Sequence, residues 1–204
     1  AGMDKGIKRL SELNVILALV LMVFVIFTGP TVLVFKALIQ NIGAYMAAVV
    51  PRTMLTYAYE PNAWIADWTI FYWAWGIAWS PFVGMFIARI SRGRTIREFV
   101  LGVLIVPAIV TFVWLAAFGN SAIWMDRVGI APLSAIVTPD AMEVGLFALL
   151  ENLPLAAISS GIATLLVLSY SVTTADSGAL VIDTITSGDA EDTPAWQRIF
   201  WAVA

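Results

Sequence analysis

Long apolar runs separated by short polar segments dominate the chain. Four runs, at residues 14–37, 69–90, 98–118 and 153–175, are long enough to cross a membrane, since a helix of ~20 residues spans a hydrocarbon core ~30 Å thick. A fifth run starts at residue 194 and continues to 204. The pattern predicts an all-α integral membrane protein in which the complete runs are spans.

Two features modify the first run. Gly29-Pro30 lies inside it and predicts a kink or an early helix end. Residues 37–50 mix apolar positions with Gln40, Asn41 and Gly43. This segment is short and polar for a span, so we expect a helix lying in the outer interface, with an ordinary loop as the alternative.

Cationic residues indicate the orientation, because they concentrate on the cytoplasmic side of membrane proteins. They flank the first span and separate the second from the third: Lys5, Lys8, Arg9, Arg89, Arg92, Arg94 and Arg97. Both groups are therefore predicted to be cytoplasmic, which puts residues 38–67 and 119–152 outside and 183–195 inside. Acidic residues at 189–192 do not change this, since acids contribute little to the rule.

The start of the chain predicts one membrane domain, residues 1–204, that is an internal fragment of a longer protein. No initiator Met is present, and the polar residues 5–12 lead straight into a full span, without the short cleavable pattern of a signal peptide.

Composition narrows the chemistry. Hydrophobic residues make up 61% of the chain and charged residues 12%, against ~25% charged in soluble domains. There is no His and no Cys, so the commonest metal ligand and general base, thiol nucleophiles and thiolate metal sites are excluded. A net charge of -3 without a large basic patch excludes a nucleic-acid footprint. An enzyme is therefore not expected.

Tryptophan is the abundant functional residue type, with nine copies, five of them between Trp64 and Trp79. Trp68, Tyr72, Trp75 and Trp79 follow one another at helical spacing, which places them on one face. Aromatic faces attract cations that cannot be held by hydrogen bonds, such as quaternary ammonium groups. The alternative is an interfacial aromatic belt or simple packing, which suits Trp64 and Trp68 better than the deeper pair, Trp75 and Trp79.

Gly76 and Ser80-Pro81 lie in the same run. Glycine lacks a side chain and proline lacks an amide donor, so we expect a locally loosened helix of the kind that lines transporter sites, or a simple kink.

Hydroxyl residues are concentrated near the end of the fourth run, in the order Ser169-Tyr-Ser-Val-Thr-Thr-Ala-Asp-Ser. Hydroxyls beside loosened backbone carbonyls can bind a hard cation such as sodium without a carboxylate in the bilayer. Packing between helices is the alternative. Asp176 is either a functional intramembrane acid or a group near the interface.

Long motifs in this sequence resemble the betaine/carnitine/choline transporter family. They are DWTIFYWAW at 67–75, WSPFVGMFIARISRGRTIREF at 79–99, VTTADSGAL at 172–180 and PAWQRIFW at 194–201. The resemblance implies a secondary transporter with about twelve helices and an inverted-repeat core of the leucine-transporter type. It also implies that this chain holds helices seven to ten and the start of eleven, and that residues 37–50 match a surface helix that supports trimers.

The resemblance also implies site residues. Trp75 and Trp79 match the family's aromatic substrate pathway and Trp73 matches another Trp of that motif. Thr173 and Thr174 match hydroxyls of a sodium site, and Tyr170 matches an aromatic residue beside it. No cofactor is implied, only sodium or a proton as coupling ion.

One position departs from the family pattern. Many members have a second Trp directly after the one matched by Trp75, where this chain has Gly76. Loss of one indole wall removes ~0.5–2 kcal/mol of cation–π attraction, about a 2- to 30-fold change in affinity. Ectoine, taurine, proline or a sulfonium compound therefore stay open as substrates.

The sequence predicts a secondary active transporter of the bacterial inner membrane that imports a small zwitterionic or quaternary ammonium osmolyte by ion-coupled alternating access. The expected partners are the osmolyte, membrane lipids and two further copies in a homotrimer of the full-length protein, and no nucleic acid. The alternative function is a membrane sensor that binds the osmolyte without transporting it.

Overall fold

The fold was analysed in a computed structural model that describes residues 3–60, 62–91, 93–138, 141–188 and 193–203. All regular secondary structure in these ranges is helical, which confirms the predicted all-α class. Four helices in them are long and apolar enough to span a membrane: Arg9–Thr28, Thr31–Thr53, Ile96–Arg127 and Ala156–Asp183. Arg92 and residues 189–192, which entered the orientation argument, lie outside the described residues.

The first predicted span is divided between two helices, α1 (Met3–Thr28) and α2 (Thr31–Thr53). The helix end predicted at Gly29-Pro30 is confirmed, and the boundary at residue 37 is wrong. Thr28 Oγ1 donates to the Phe24 carbonyl at 2.8 Å and Thr31 Oγ1 to the Ile26 carbonyl at 2.6 Å, so hydroxyls bond to carbonyls of the last turns of α1. The predicted interfacial segment 37–50 lies within α2, and its position relative to a membrane stays a prediction.

The Trp-rich run forms α3 (Phe71–Ile90), preceded by a π-helical turn at Ile65–Ile70. Within the described residues this helix is not among the four that meet the length and hydropathy requirement for a span, so its membrane crossing stays a prediction. The expected loosening at Ser80-Pro81 is wrong, because α3 is continuous there. Proline leaves the carbonyl four residues earlier without an amide donor, and Ser80 Oγ donates to that carbonyl, on Ile77, at 2.8 Å.

The third predicted span, 98–118, lies inside a longer helical run. It comprises α4 (Ile96–Val100), a π-helical segment (Leu101–Ile105), α5 (Val106–Trp114), a second π-helical segment (Leu115–Gly119) and α6 (Asn120–Arg127). The shorter elements α7 (Leu133–Ile136), a 3-10 turn (Met142–Val144) and α8 (Gly145–Glu151) follow.

The fourth predicted span, 153–175, corresponds to α9 (Ala156–Thr186), and the predicted boundary at 175 is wrong. The helix continues through the polar segment, and hydroxyls there bond to backbone carbonyls of the same helix, which satisfies them without a partner outside it. Ser177 Oγ, for example, donates to the Thr173 carbonyl at 2.8 Å. The last element, α10 (Ala195–Val203), begins where the fifth run was predicted to begin.

The chain divides into two compact units, residues 1–42 with 107–177, and residues 43–106 with 178–204. In the first unit, Leu21 and Val25 of α1 belong to a cluster of buried apolar residues that also contains Ala117 and Leu150. In the second unit, Asp183 is 2% exposed and accepts a hydrogen bond from Thr193. The predicted Trp substrate residues belong to the second unit, and the predicted sodium residues to the first.

Candidate substrate and cation sites

The aromatic side chains predicted to share one helix face are in contact along it. Ring centroids are 5.2 Å apart between Trp64 and Trp68, 5.9 Å between Trp68 and Tyr72, 6.1 Å between Tyr72 and Trp75, and 6.0 Å between Trp75 and Trp79. The prediction of a continuous aromatic face, here called the aromatic ladder, is therefore confirmed.

The geometry of the ladder changes along its length. Trp64, Trp68 and Tyr72 are stacked, with interplanar angles of 22° and 11°. The planes of Trp75 and Trp79 instead make an angle of 64°. Stacked rings cover parts of each other's faces, whereas two planes at a large angle can present both faces to one cation. Tyr72 and Trp75 also meet at a large angle, 85°, so the ladder has two such corners. Trp is the strongest cation–π partner, and the corner between Trp75 and Trp79 is the one made of two indoles, which suits it to a quaternary ammonium group.

Gly76 leaves space beside this corner. A Cβ atom built on Gly76 has no heavy atom within 4 Å in the part of the chain that the structure describes. Trp75 and Trp79 are 53% and 40% exposed, so their ring surfaces are accessible to a ligand.

Trp73 does not share the ladder face. It lies two residues before Trp75, about 160° from it around the helix at 3.6 residues per turn. Trp73 instead lines a cavity of about 340 Å³ with Tyr45 and Arg52 of α2. The structure thus brings two of the three predicted Trp residues together and puts the third on another face.

The predicted sodium residues lie on α9 around a larger cavity of the first unit. Tyr170 and Thr174, at positions i and i+4, line this cavity of about 620 Å³, whose other lining residues include Leu21 and Trp114. Thr173 is not in the lining, and its Oγ1 donates to the carbonyls of Ser169 at 3.1 Å and Tyr170 at 3.0 Å. The expected loosened carbonyls are absent from this described stretch, because α9 is regular there.

These oxygens can form only part of a sodium site. A hydroxyl that donates its proton to a carbonyl keeps lone pairs that a cation can use. The hydroxyls of Thr173 and Thr174 therefore offer two ligands, fewer than the six or more oxygens that hard cations such as calcium take. Further ligands have to come from other segments of the protein.

Sequence reasoning missed a buried polar pair in the first unit. Asn14 of α1 is 1% exposed, and Ser169 Oγ lies 2.5 Å from its Oδ1. Asn14 Nδ2 has no hydrogen-bond partner among the described residues. An amide near the start of an otherwise apolar run was the available signal, since polar side chains in spans bond across helices.

Comparison with known proteins identifies the family. The chain matches the sequence profile of the betaine/carnitine/choline family transporters over residues 1–204. It is 49% identical over 204 residues to a glycine betaine transporter of Acinetobacter baylyi, covering 99% of this chain and 30% of that protein. It is 48% identical over 210 residues to a high-affinity choline transport protein of Escherichia coli K12, covering 100% and 31%.

A glycine betaine/proline/choline transporter of Vibrio parahaemolyticus is 44% identical over 201 residues, covering 98% of this chain and 36% of that protein. The chain thus spans about a third of the length of these curated relatives. The family and these relatives are transporters and not enzymes. The chain belongs to the betaine/carnitine/choline transporter family.

Proposed function

We propose that the full-length protein containing this chain is a secondary active transporter of the bacterial inner membrane that imports a small zwitterionic or quaternary ammonium osmolyte. Alternating access of an inverted-repeat core of the leucine-transporter type would move the solute, and the full-length protein would form a homotrimer in contact with membrane lipids. The relatives named for glycine betaine and choline support this solute class.

The observation that carries the proposal is the corner between Trp75 and Trp79, with ring centroids 6.0 Å apart and planes at 64°. Two indole faces around one point attract a quaternary ammonium group, which offers no proton for a hydrogen bond.

Uptake of labelled glycine betaine into proteoliposomes tests the assignment of Trp79. Trp79→Ala removes one wall of the corner, so we expect a rise in KM of ~2- to 30-fold or more. Trp196→Ala on α10 is the matched control, since Trp196 is 68% exposed and outside the ladder. Unchanged uptake by Trp79→Ala would exclude the corner as the substrate site.

We further propose sodium as the coupling ion, held in part by Thr173 and Thr174 beside Tyr170. Thr173→Ala and Thr174→Ala are expected to raise the sodium concentration needed for half-maximal uptake. Thr164→Ala is a close control, because Thr164 on the same helix also donates to the carbonyl four residues earlier, at 2.9 Å, and is not in the cavity lining.

Proton coupling, or exchange without an ion gradient, is the alternative mechanism. Uptake driven by a pH gradient in sodium-free buffer, with no response to the two Thr substitutions, would replace the sodium assignment.

Two other functions remain as alternatives. A membrane sensor would bind the solute through the same corner without accumulating it, so binding with no uptake into proteoliposomes identifies a sensor. Gly76 leaves open a solute other than a quaternary ammonium compound, such as ectoine, taurine, proline or a sulfonium compound, and the Vibrio relative is named for proline as well as glycine betaine. Competition by these solutes in the uptake assay separates them.

A further inference from the structure

The cavity lined by Trp73 belongs entirely to the second unit and is separate from the ladder corner in its lining. Its volume is about 340 Å³, and its lining includes Tyr45, Arg52 and Thr53 of α2 together with Thr69 and Trp73. Small-molecule sites typically measure ~300–1,000 Å³ and combine aromatic walls with a few polar groups. This cavity has both properties.

Helical spacing explains why these residues meet. Tyr45, Arg52 and Thr53 lie at i, i+7 and i+8 on one face of α2, and Thr69 and Trp73 lie at i and i+4 around the start of α3. Because the residues of each helix share a face, the two faces can line one space, and the aromatic rings and the guanidinium do so here.

The polar groups of the lining have distinct roles. Thr53 Oγ1 donates to the Val49 carbonyl at 2.6 Å, so its proton is already used. The guanidinium of Arg52 and the hydroxyl of Thr69 remain as donors in the lining. A guanidinium binds a carboxylate through two parallel hydrogen bonds, and Trp73, 68% exposed, offers a ring face to an ammonium group.

We propose that this cavity is a second binding site for a carboxylate-bearing quaternary ammonium zwitterion, with Arg52 on the carboxylate and Trp73 and Tyr45 on the ammonium group. The solute class rests on the proposed function, whereas the site itself rests on the cavity. Choline provides a sharp comparison, because it has the ammonium group and lacks the carboxylate. The second site therefore discriminates between two solutes that the ladder corner, made of ring faces, accepts alike.

An anionic phospholipid is the competing occupant. Recognition of such lipids typically uses clusters of ~4–8 Lys or Arg, each contributing ~1 kcal/mol. The described lining of this cavity contains one cationic residue, Arg52, beside two aromatic rings. One positive group and two ring faces match the two opposite charges of a zwitterion better than the net negative charge of a lipid headgroup.

Equilibrium dialysis of the full-length protein in detergent, with labelled glycine betaine and labelled choline, tests the proposal. The parent protein should bind two glycine betaine molecules and one choline molecule per chain. Arg52→Gln should reduce glycine betaine to one and leave choline at one, with at least tenfold weaker binding at the second site. Arg52→Lys keeps the charge without the two parallel bonds and should weaken the second site without abolishing it.

Controls separate this site from the ladder corner. Trp79→Ala should weaken binding of the other glycine betaine molecule and of the choline molecule by ~2- to 30-fold or more. Arg94→Gln, which changes an exposed arginine outside the cavity, should change neither site. Choline binding by Arg52→Gln also shows that this variant is folded.

Three results would overturn the proposal. The first is a parent protein that binds one glycine betaine, at a site that Trp79→Ala weakens and Arg52→Gln leaves unchanged. The second is an unchanged stoichiometry of two in Arg52→Gln. The third is displacement of the second glycine betaine by phosphatidylglycerol and not by phosphatidylethanolamine, which assigns the cavity to an anionic lipid. Failure of the parent protein to bind either solute instead refutes the proposed function.

Discussion

Gly76→Trp is the substitution most informative about the substrate. Position 76 lies four residues after Tyr72 and three before Trp79, so an indole there is a helix-surface neighbour of both rings. The first atom of the new side chain has free space, since a Cβ at Gly76 meets no described heavy atom within 4 Å. The substitution therefore adds a third ring beside the corner of Trp75 and Trp79.

The expected gain follows from the strength of one cation–π contact. An added ring contributes ~0.5–2 kcal/mol, which corresponds to a ~2- to 30-fold lower Kd for glycine betaine. The helix itself should tolerate the change, because the helix propensity of glycine is less favourable than that of tryptophan by ~0.3–0.5 kcal/mol. The predicted gain is thus a property of the ligand contact and not of helix stability.

Competition uptake measures this gain. The inhibition constants of glycine betaine and proline should be compared in the parent protein, Gly76→Trp and Gly76→Leu. Glycine betaine should gain relative to proline in Gly76→Trp, because the secondary ammonium of proline can be satisfied by hydrogen bonds while the quaternary group depends on ring faces. Gly76→Leu adds bulk without a ring face and should give no such selectivity.

Two outcomes would refute this reasoning. An equal gain with leucine and tryptophan would mean that apolar bulk, and not the ring face, determines affinity at this position. Loss of all binding in Gly76→Trp, with normal folding, would mean that another segment of the full-length protein fills the space beside Gly76.

Two further predictions concern stability, measured as thermal unfolding of the detergent-solubilised protein. Gly29→Ala should lower the free energy of unfolding by ~1–3 kcal/mol, because its Cβ would lie 2.8 Å from the Val25 carbonyl oxygen. Gly43→Ala, where a Cβ has free space, should leave the stability unchanged. Equal effects of the two substitutions would contradict the steric argument. Ser169→Ala should lower the free energy of unfolding by ~1–2 kcal/mol, because it leaves buried Asn14 without this hydrogen-bond partner. The double variant Ser169→Ala/Asn14→Leu should recover part of that stability. Additive losses in the double variant would contradict the pairing.

The positions of the helices followed from the sequence where a local rule decided them. Apolar runs of sufficient length predicted three of the helices that meet the span criteria, and Gly29-Pro30 predicted the end of α1 at Thr28. The ladder was also predictable, because a spacing of i, i+4, i+7 and i+11 determines the face of any regular helix.

Helix ends and loosened segments were less predictable, because side chains can supply hydrogen bonds that the sequence pattern does not show. The fourth span was predicted to end at 175, yet α9 continues to Thr186, and hydroxyls beyond 175 bond back to carbonyls of the same helix. Pro81 was expected to loosen α3, yet Ser80 Oγ bonds to the carbonyl that proline leaves without a donor. At Pro81 a hydroxyl within one turn thus replaces the missing amide donor.

Trp73 illustrates a different limit. Its motif contains Trp73 and Trp75 two residues apart, and the family resemblance made both of them candidate substrate residues. Two positions apart on an α-helix, side chains point about 160° away from each other around the axis. The motif therefore supplies residues to two nearly opposite helix faces. Trp75 joins the ladder, and Trp73 lines a cavity with Arg52, twenty-one positions earlier on another helix. No local spacing rule connects those two residues, since they come together only in the tertiary structure. A motif shared with transporters therefore indicates the chemistry of these residues, whereas the helix face decides which site each one serves.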